Sequence, residues 1–417
     1  MQSPDAHDEI IILGCGLVGL CTALSLLERG EKVRLIDRDE PGQATSMGNA
    51  GVVSPWSIIP QPLPGIWKAI PRLLFGYGRP LSIDPRVVPA MVPWAFRFLR
   101  QSSERRTRLA ADAMSHLCGP SIELYERHLR GTGHENLLCD SYYVHAFRKA
   151  DASKLQAIDY RIREEKGADL ELVGQERLLK IEPALSPDFK AAVLIKGQSR
   201  IRSPGQLGKV LADKVRALGG AIERVEIRSL RKDNGRWCIT CQNKQITAQR
   251  VVVAMGVWSK KLLESFGISV PLLSERGYHI ECRDPQVELN HSVMDVDAKV
   301  VASSMNGGVR IAGQAEFAPI EKPADERRRV VLLRVARAAF PGLRTEEHSF
   351  WMGQRPSFPD SLPALGKIPG HPGLFANFGH SHYGLMMAPK SGAVAAQIVC
   401  GEVPNIPLEP YSLGRFG

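Results

Sequence analysis

Cysteine chemistry is scarce in this sequence, and so are long apolar runs. Among eight cysteines only Cys238 and Cys241 form a C-x-x-C, and that pair follows an Asn234-Gly235 turn inside a predicted strand. A redox dithiol works at a helix N-terminus, where the dipole lowers a thiol pKa, and a zinc site needs a second pair, which is missing. The cysteines are read as incidental, no metal is expected, and the expected compartment is reducing and cytoplasmic. Acidic residues are the minority, 44 against 54 Lys plus Arg, for a formal net charge of +10. Part of the excess is local, since Arg97, Arg100, Arg105, Arg106 and Arg108 fall within a dozen residues. No nucleic-acid motif accompanies them, so a solvated helix face is preferred and no nucleic-acid partner is expected.

Apart from Ile10 to Leu27, which runs 18 residues without a charge, no apolar run approaches membrane length. A membrane span or a signal-peptide core is the competing reading of that one stretch. Against it, Asp5, Asp8 and Glu9 stand where a signal peptide would be basic, and three glycines would weaken a spanning helix. With 44% hydrophobic and 24% charged residues, the 417-residue chain reads as a soluble globular protein large enough for two core-bearing domains.

What the stretch does carry is a β-α-β fingerprint. The apolar run Ile10 to Leu13 ends at Gly14, Gly16 and Gly19 in G-x-G-x-x-G spacing, and after a helical stretch a second apolar run, Val33 to Ile36, ends in Asp37. Gly14 permits a tight turn, Gly16 clears space for a pyrophosphate, and Gly19 lets the helix pack close to the sheet. The pyrophosphate is expected on the free N–H groups of the helix N-terminus, around Leu17 and Val18. Asp37, 18 residues beyond Gly19 and followed by Arg38, is placed to accept hydrogen bonds from ribose hydroxyls.

Next comes a small-residue loop with Ser46, Asn49 and the Gly51 backbone as hydrogen-bonding groups, or a plain linker. Ser54 to Pro93 is apolar but broken by prolines that forbid a long straight helix. Helical, basic patterning runs from about Trp94 to Arg130. Strands are predicted at Ser141–Phe147, Ala221–Leu230, Trp237–Cys241, Gln245–Val253, Pro271–Glu281, Val293–Ser303, Val309–Gln314 and Leu374–Phe378. Helices are predicted at Asp151–Lys166, Gly174–Ile181, Ser203–Leu218 and Ala324–Phe340, and from the Gly/His-rich turn to about Cys400. A glycine at another strand-to-helix junction, Ala254-Met255-Gly256 before Trp258, faces the same crevice. Nucleotide-binding patterns recur at the start, middle and end, so the cofactor domain must be discontinuous.

The opening fingerprint, SMGNAGVVSP, LLKIEPAL, VVVAMGVWS, MGQRPSFPDSLPALG and FGHSHYGLMMAPKSG, in this order, resemble the D-amino-acid dehydrogenase group of the glycine oxidase and D-amino-acid oxidase superfamily of flavoproteins. The resemblance implies an α/β fold: a Rossmann-like FAD-binding domain (1–84, 196–266 and 350–417) and a discontinuous α+β substrate domain built on an antiparallel sheet (85–195 and 267–349). It implies that Gly14, Gly16 and Gly19 hold the pyrophosphate and Asp37 the ribose. Ser46, Asn49, Ala50, Gly51 and Val52 would line the diphosphate and flavin edge, and Val225 would offer backbone to the adenine. Ala254 and Gly256 would approach the diphosphate, while His380 and the turn Gly384-Leu385-Met386 would face the pyrimidine end of the flavin. At Arg202-Ser203-Pro204 and at His382-Tyr383 the chain departs from the family pattern.

The implied activity is dehydrogenation of D-amino acids or cyclic D-imino acids, with N-substituted glycines or other secondary amines, or a flavin-bearing subunit of a larger complex, as alternatives. Such chemistry needs a carboxylate anchor and a neutral amine, for which Arg355 in G-Q-R-P is the chosen clamp because a guanidinium grips a carboxylate bidentately. Tyr278 is either a second hydrogen-bond donor to that carboxylate or an ordinary strand tyrosine. His382 either tunes the amine and lines the pocket or is structural. Arg276 shares the Tyr278 face as a weaker rival, and His279 points to the opposite face. The segment Ile58 to Leu99 with its following arginines is expected either as a peripheral contact with the inner face of the cytoplasmic membrane, meeting a quinone electron acceptor, or as a buried helix cluster.

Overall fold

The computed structural model describes residues 9–149 and 155–416. The fingerprint strand Ile10–Leu13 lies inside a six-stranded sheet, between Val33–Asp37 on one side and Val251–Val253 on the other, all parallel. Leu374–Phe378 continues the parallel order beyond Val251–Val253, Ala364–Lys367 closes that edge antiparallel, and Ala221–Arg224 closes the other edge. Burial on both faces explains the unbroken apolar run. Ile10 and Ile12 pack toward the helices Leu17–Leu27, Pro204–Ala217 and Gly384–Val399, while Ile11 and Leu13 pack with Leu230, Trp237 and Ile239 of a three-stranded meander. Because the chain leaves Ile10–Leu13 toward one neighbour and returns beside the other, a crevice opens at the carboxyl ends of these strands.

A ten-stranded sheet forms the second layer. Its main path runs His348–Ser357, Leu273–Cys282, Gly308–Phe317, Val300–Met305, Ser292–Asp295, Leu138–Phe147, Ala191–Ile201 and Val52–Val53. Pairing is antiparallel except between Ser292–Asp295 and Leu138–Phe147, and between Gly308–Phe317 and the short strand Leu81–Ile83. One face packs Tyr278, Ile280 and Val309 with Leu332, Val335 and Ala336 of the helix Glu326–Ala339. Two of the expected domain cuts, 195/196 and 349/350, fall inside single strands of this sheet, Ala191–Ile201 and His348–Ser357.

Three predicted strands prove to be two each. Ala221–Arg224 lies beside Val33–Asp37, whereas Ile227–Asp233 joins the meander; Gln245–Ala248 and Val251–Val253 likewise belong to different sheets, and Ser292–Asp295 and Val300–Met305 form a hairpin. Val225 and Val296 carry apolar residues into two of the breaks and the third is only the two residues Gln249 and Arg250, so periodicity alone does not mark them. The proline-broken segment yields two shorter helices, Ile66–Phe75 and Val88–Gln101, with internal prolines at Pro71 and Pro93. The helix expected from Asp151 starts at Ile158, and residues 151–154 lie outside the described part.

Candidate active site

A cavity of about 1170 Å³ runs from the crevice of the six-stranded sheet to the exposed helix Ile66–Phe75. At its first end the three glycines have separate reasons. Gly14 has φ +110° and a Cβ there would lie 2.4 Å from the Ala254 carbonyl oxygen. At Gly19 a Cβ would lie 2.1 Å from the Gly14 carbonyl oxygen, so this glycine fixes how closely the helix meets the turn. At Gly16 the nearest protein atom to a Cβ is Ser46 Oγ at 3.4 Å, an ordinary contact. The protein itself does not require glycine at that position; a group lying in the cavity does.

Around this cradle, Leu17 donates its N–H to Ser46 Oγ at 3.2 Å, and Val18 and Ala50 also border the space. The Asp37 carboxylate accepts the N–H groups of Cys15 at 2.6 Å and Asp39 at 3.1 Å. Burial pushes its pKa up, against the pull of those two donors. Arg38 stacks on Trp258 with its guanidinium carbon 4.4 Å from the ring centre, so the two form one wall beside Asp37. Ala254, Gly256, Val52 and Asn49 border the cavity as well. Gly19, Gly51 and Val225 do not. Gly51 donates to Asn49 Oδ1 at 2.8 Å and shapes the loop, while Val225 donates its N–H to the Asp37 carbonyl at 2.7 Å, so that N–H is not free for an adenine. Arg310 holds the loop from the large sheet, donating to the carbonyls of Met47 at 2.9 Å and Asn49 at 2.7 Å.

A second helix N-terminus converges on the same space. Gly384–Val399 packs against Leu17–Leu27 closely enough that a Cβ at Gly392 would lie 2.7 Å from the Cys21 carbonyl carbon. Its first turn, with Gly384, Leu385 and Met386 at the cavity, has no side-chain cap. Its partial positive charge is therefore available to an anionic group. His380 borders the cavity too, but Nε2 is paired with Ser391 Oγ at 2.9 Å, and burial pushes the imidazole pKa down to about 3, keeping it neutral. Two converging helix N-termini, a Gly16 that no protein contact demands and a half-buried carboxylate beside them fit the flavin dinucleotide that the sequence resemblance implies.

The other end is built by strand register. Leu273–Cys282 pairs antiparallel with His348–Ser357, placing Glu275 opposite Arg355, Gly277 opposite Gly353 and His279 opposite Trp351. Arg355 lies across Gly277, where a Cβ would sit 2.1 Å from its Nη2. Its Nη1 donates to Glu275 Oε1 at 3.1 Å and to the Gln314 carbonyl at 2.9 Å, while Nη2 and Nε have no protein acceptor among the described residues. Glu275, 2% exposed, also takes Ser357 Oγ at 2.9 Å and His382 Nε2 at 2.5 Å. Burial would raise its pKa, but the contacts with His382, Arg355 and Ser357 prevail and hold the carboxyl down at about 2. Arg355 and His382 thus come together at the cavity through a residue the sequence reading missed. The signal was available only as a pairing between positions 80 apart.

Tyr278 requires a correction. It borders the cavity, yet its hydroxyl donates to Glu316 and the residue is 1% exposed, so it cannot serve a carboxylate there. Arg276 is fully buried on that same far face, bound to Glu316 at 3.0 Å and to the carbonyls of Lys322 and Pro323 at 2.8 Å each. Arg202 is likewise absent from the cavity lining. His279 stacks on Trp351 and contacts the Gly48 carbonyl at 3.2 Å, supporting the loop. Beyond His382 an apolar lobe with Leu63, Met294 and Val301 holds a buried pair that sequence reading also missed, His145 Nδ1 and Tyr160 Oη at 2.8 Å.

Known proteins resemble this chain over nearly its whole length. The chain is 32% identical to a D-amino-acid oxidase of Bradyrhizobium diazoefficiens over 98% of its own length and 99% of that protein. It is 30% identical to a D-amino acid dehydrogenase of Rhizobium rhizogenes over 98% of this chain and 100% of the other. A glycine oxidase structure from Geobacillus kaustophilus superposes with a TM-score of 0.74 at 20% identity, covering 97% of this chain and 98% of that one. The DAO family model, described as FAD dependent oxidoreductase, matches residues 9–398. The chain belongs to the DAO family of FAD-dependent oxidoreductases.

Proposed function

We propose that this enzyme dehydrogenates D-amino acids, or cyclic D-imino acids, at Cα, with Arg355 as the carboxylate clamp. The observation that carries the reading is the half-engaged guanidinium: Nη1 is tethered to Glu275 and Gln314, and Nη2 and Nε remain for a ligand in the cavity. A carboxylate bound there is fixed in plane, which orients the carbon it is attached to. Bound FAD supplies the hydride acceptor. Gly14, Gly16, Leu17, Val18, Asp37, Arg38, Ser46, Ala50, Trp258 and the Gly384–Met386 turn would hold it, with the six-stranded sheet as cofactor unit and the ten-stranded sheet as substrate unit. The names of the two curated relatives support an amino-acid substrate. Anaerobic bleaching of the flavin by a panel of D-amino acids is the test; bleaching by N-substituted glycines or simple amines alone would overturn the reading in favour of the alternative substrates. Gly16→Ala should leave the apoprotein melting close to wild type, because its Cβ meets nothing tight, and Gly16→Val, whose side chain reaches further into the cradle, should yield protein without flavin absorbance.

For electron disposal the proposal is a quinone met at an anionic bilayer. No described helix is long and apolar enough to cross a membrane. The helices Ile66–Phe75 and Val88–Gln101, however, expose Trp67 at 59%, Phe75 at 77%, and Val92 and Phe96 at 62% each. Lys68, Arg72, Arg97 and Arg100 are exposed among them. Apolar area ringed by cations suits peripheral binding to anionic lipid. Flotation with phosphatidylglycerol vesicles at low salt should carry the protein up, and release it at high salt; no flotation together with fast reaction with oxygen would overturn this.

A further inference from the structure

An amino acid arrives at neutral pH as an ammonium, and its nitrogen lone pair must be free before a hydride can leave Cα. We propose that His382 takes that proton, and that Glu275 is the positioning residue that makes it able to; the proposal rests on the amino-acid reading above. His382 stands in the turn Ser381–Tyr383 at the cavity wall, with its side chain 34% exposed. Its Nε2 lies 2.5 Å from Glu275 Oε1. An ionised carboxylate only accepts, so Nε2 carries the hydrogen and, in the neutral ring, Nδ1 carries the lone pair. No described protein group bonds Nδ1.

The charged and titratable neighbours favour this assignment. From the two strands, Glu275 and Arg355 face His382 through the shared Oε1. From its own turn, Tyr383 donates its hydroxyl to the Ile59 carbonyl at 2.6 Å, with its pKa pushed up by burial, and His380 is held neutral on Ser391. None of these but His382 combines an open lone pair with access to the cavity. In the step, one ammonium N–H bond breaks, its electron pair stays on nitrogen, and an Nδ1–H bond forms. The positive charge moves to the imidazolium, which remains against the Glu275 carboxylate. Because Arg355 and His382 touch the same oxygen, the groups assigned to the substrate carboxylate and to its nitrogen are fixed relative to each other, as those two groups are on one carbon.

The test is rapid anaerobic flavin reduction, across pH, by a D-amino acid that bleaches the wild type. The wild-type rate should fall through a one-proton limb on the acid side. His382→Asn should abolish that limb and slow reduction by about 10²- to 10⁴-fold, while Arg355-dependent binding of a non-reacting carboxylate is retained. Glu275→Gln should shift the limb to lower pH, since the imidazolium loses its counter-charge. An unchanged limb in His382→Asn overturns the proposal. Independently of turnover, ¹⁵N NMR of the histidines should show His382 as the Nε2–H tautomer; an Nδ1–H tautomer overturns it. If no amino acid bleaches the wild type, the substrate reading fails, and the tautomer still decides whether Glu275 positions His382.

Discussion

The strand Leu273–Cys282 presents Arg276 on one face and Glu275 on the other, and a neighbouring strand supplies each with its partner, Glu316 and Arg355. On the far face, Arg276 is fully buried with every group engaged by Glu316, Lys322, Pro323 and Met352, and Tyr278 donates into the same cluster. On the cavity face, Arg355 is tethered to Glu275 by one nitrogen only. The first is a closed network that fixes the sheet edge to the segment before Glu326–Ala339; the second is open on one side and therefore able to bind. The difference teaches that a buried arginine signals a ligand only when its donors outnumber the acceptors the protein provides.

Substitutions at three residues break or sharpen that contrast. The largest effect is expected for Arg355→Met: removing a charge partner of the substrate carboxylate costs about 2–5 kcal/mol, roughly a 30- to several-thousand-fold fall in kcat/KM at about 1.4 kcal/mol per tenfold, with FAD still bound. Arg355→Lys should recover only part, since an ammonium lacks the planar fork. An analogue with hydrogen in place of the carboxylate, where the wild type oxidises it measurably, should lose little; equal losses would assign Arg355 to the fold. Arg276→Met should act the other way, lowering stability by up to about 3–5 kcal/mol in a denaturant titration because Glu316 loses its guanidinium, with kcat/KM per folded enzyme nearly unchanged. Tyr278→Phe is the smallest: about 1.5–3 kcal/mol of stability from one hydrogen bond to a charged group, and no change in KM. A raised KM in Tyr278→Phe would return this hydroxyl to the substrate.

The glycine turn was readable because its parts are contiguous: strand, Gly14, Gly16, Gly19, helix and Asp37 fall within 28 residues, and local sterics decide them. Arg355 was singled out through its G-Q-R-P setting, and its side chain does border the cavity. The alternation at Arg276, Gly277 and Tyr278 was also readable, since side chains in a strand alternate by position. Which parity faces the cavity was not, because that depends on the helix Glu326–Ala339 covering one face and on the partner strand, 80 residues away, supplying Arg355 to the other. The breaks at Val225 and Gln249 were hidden for the same reason: sheet membership is chosen by non-local pairing, and an interruption of two residues does not reveal it. By itself, then, the sequence determined the nucleotide cradle, where the backbone's own stereochemistry is the constraint. Only the tertiary structure decided the Glu275–Arg355–His382 cluster, because a buried carboxylate acquires its role from neighbours that the chain brings together only on folding.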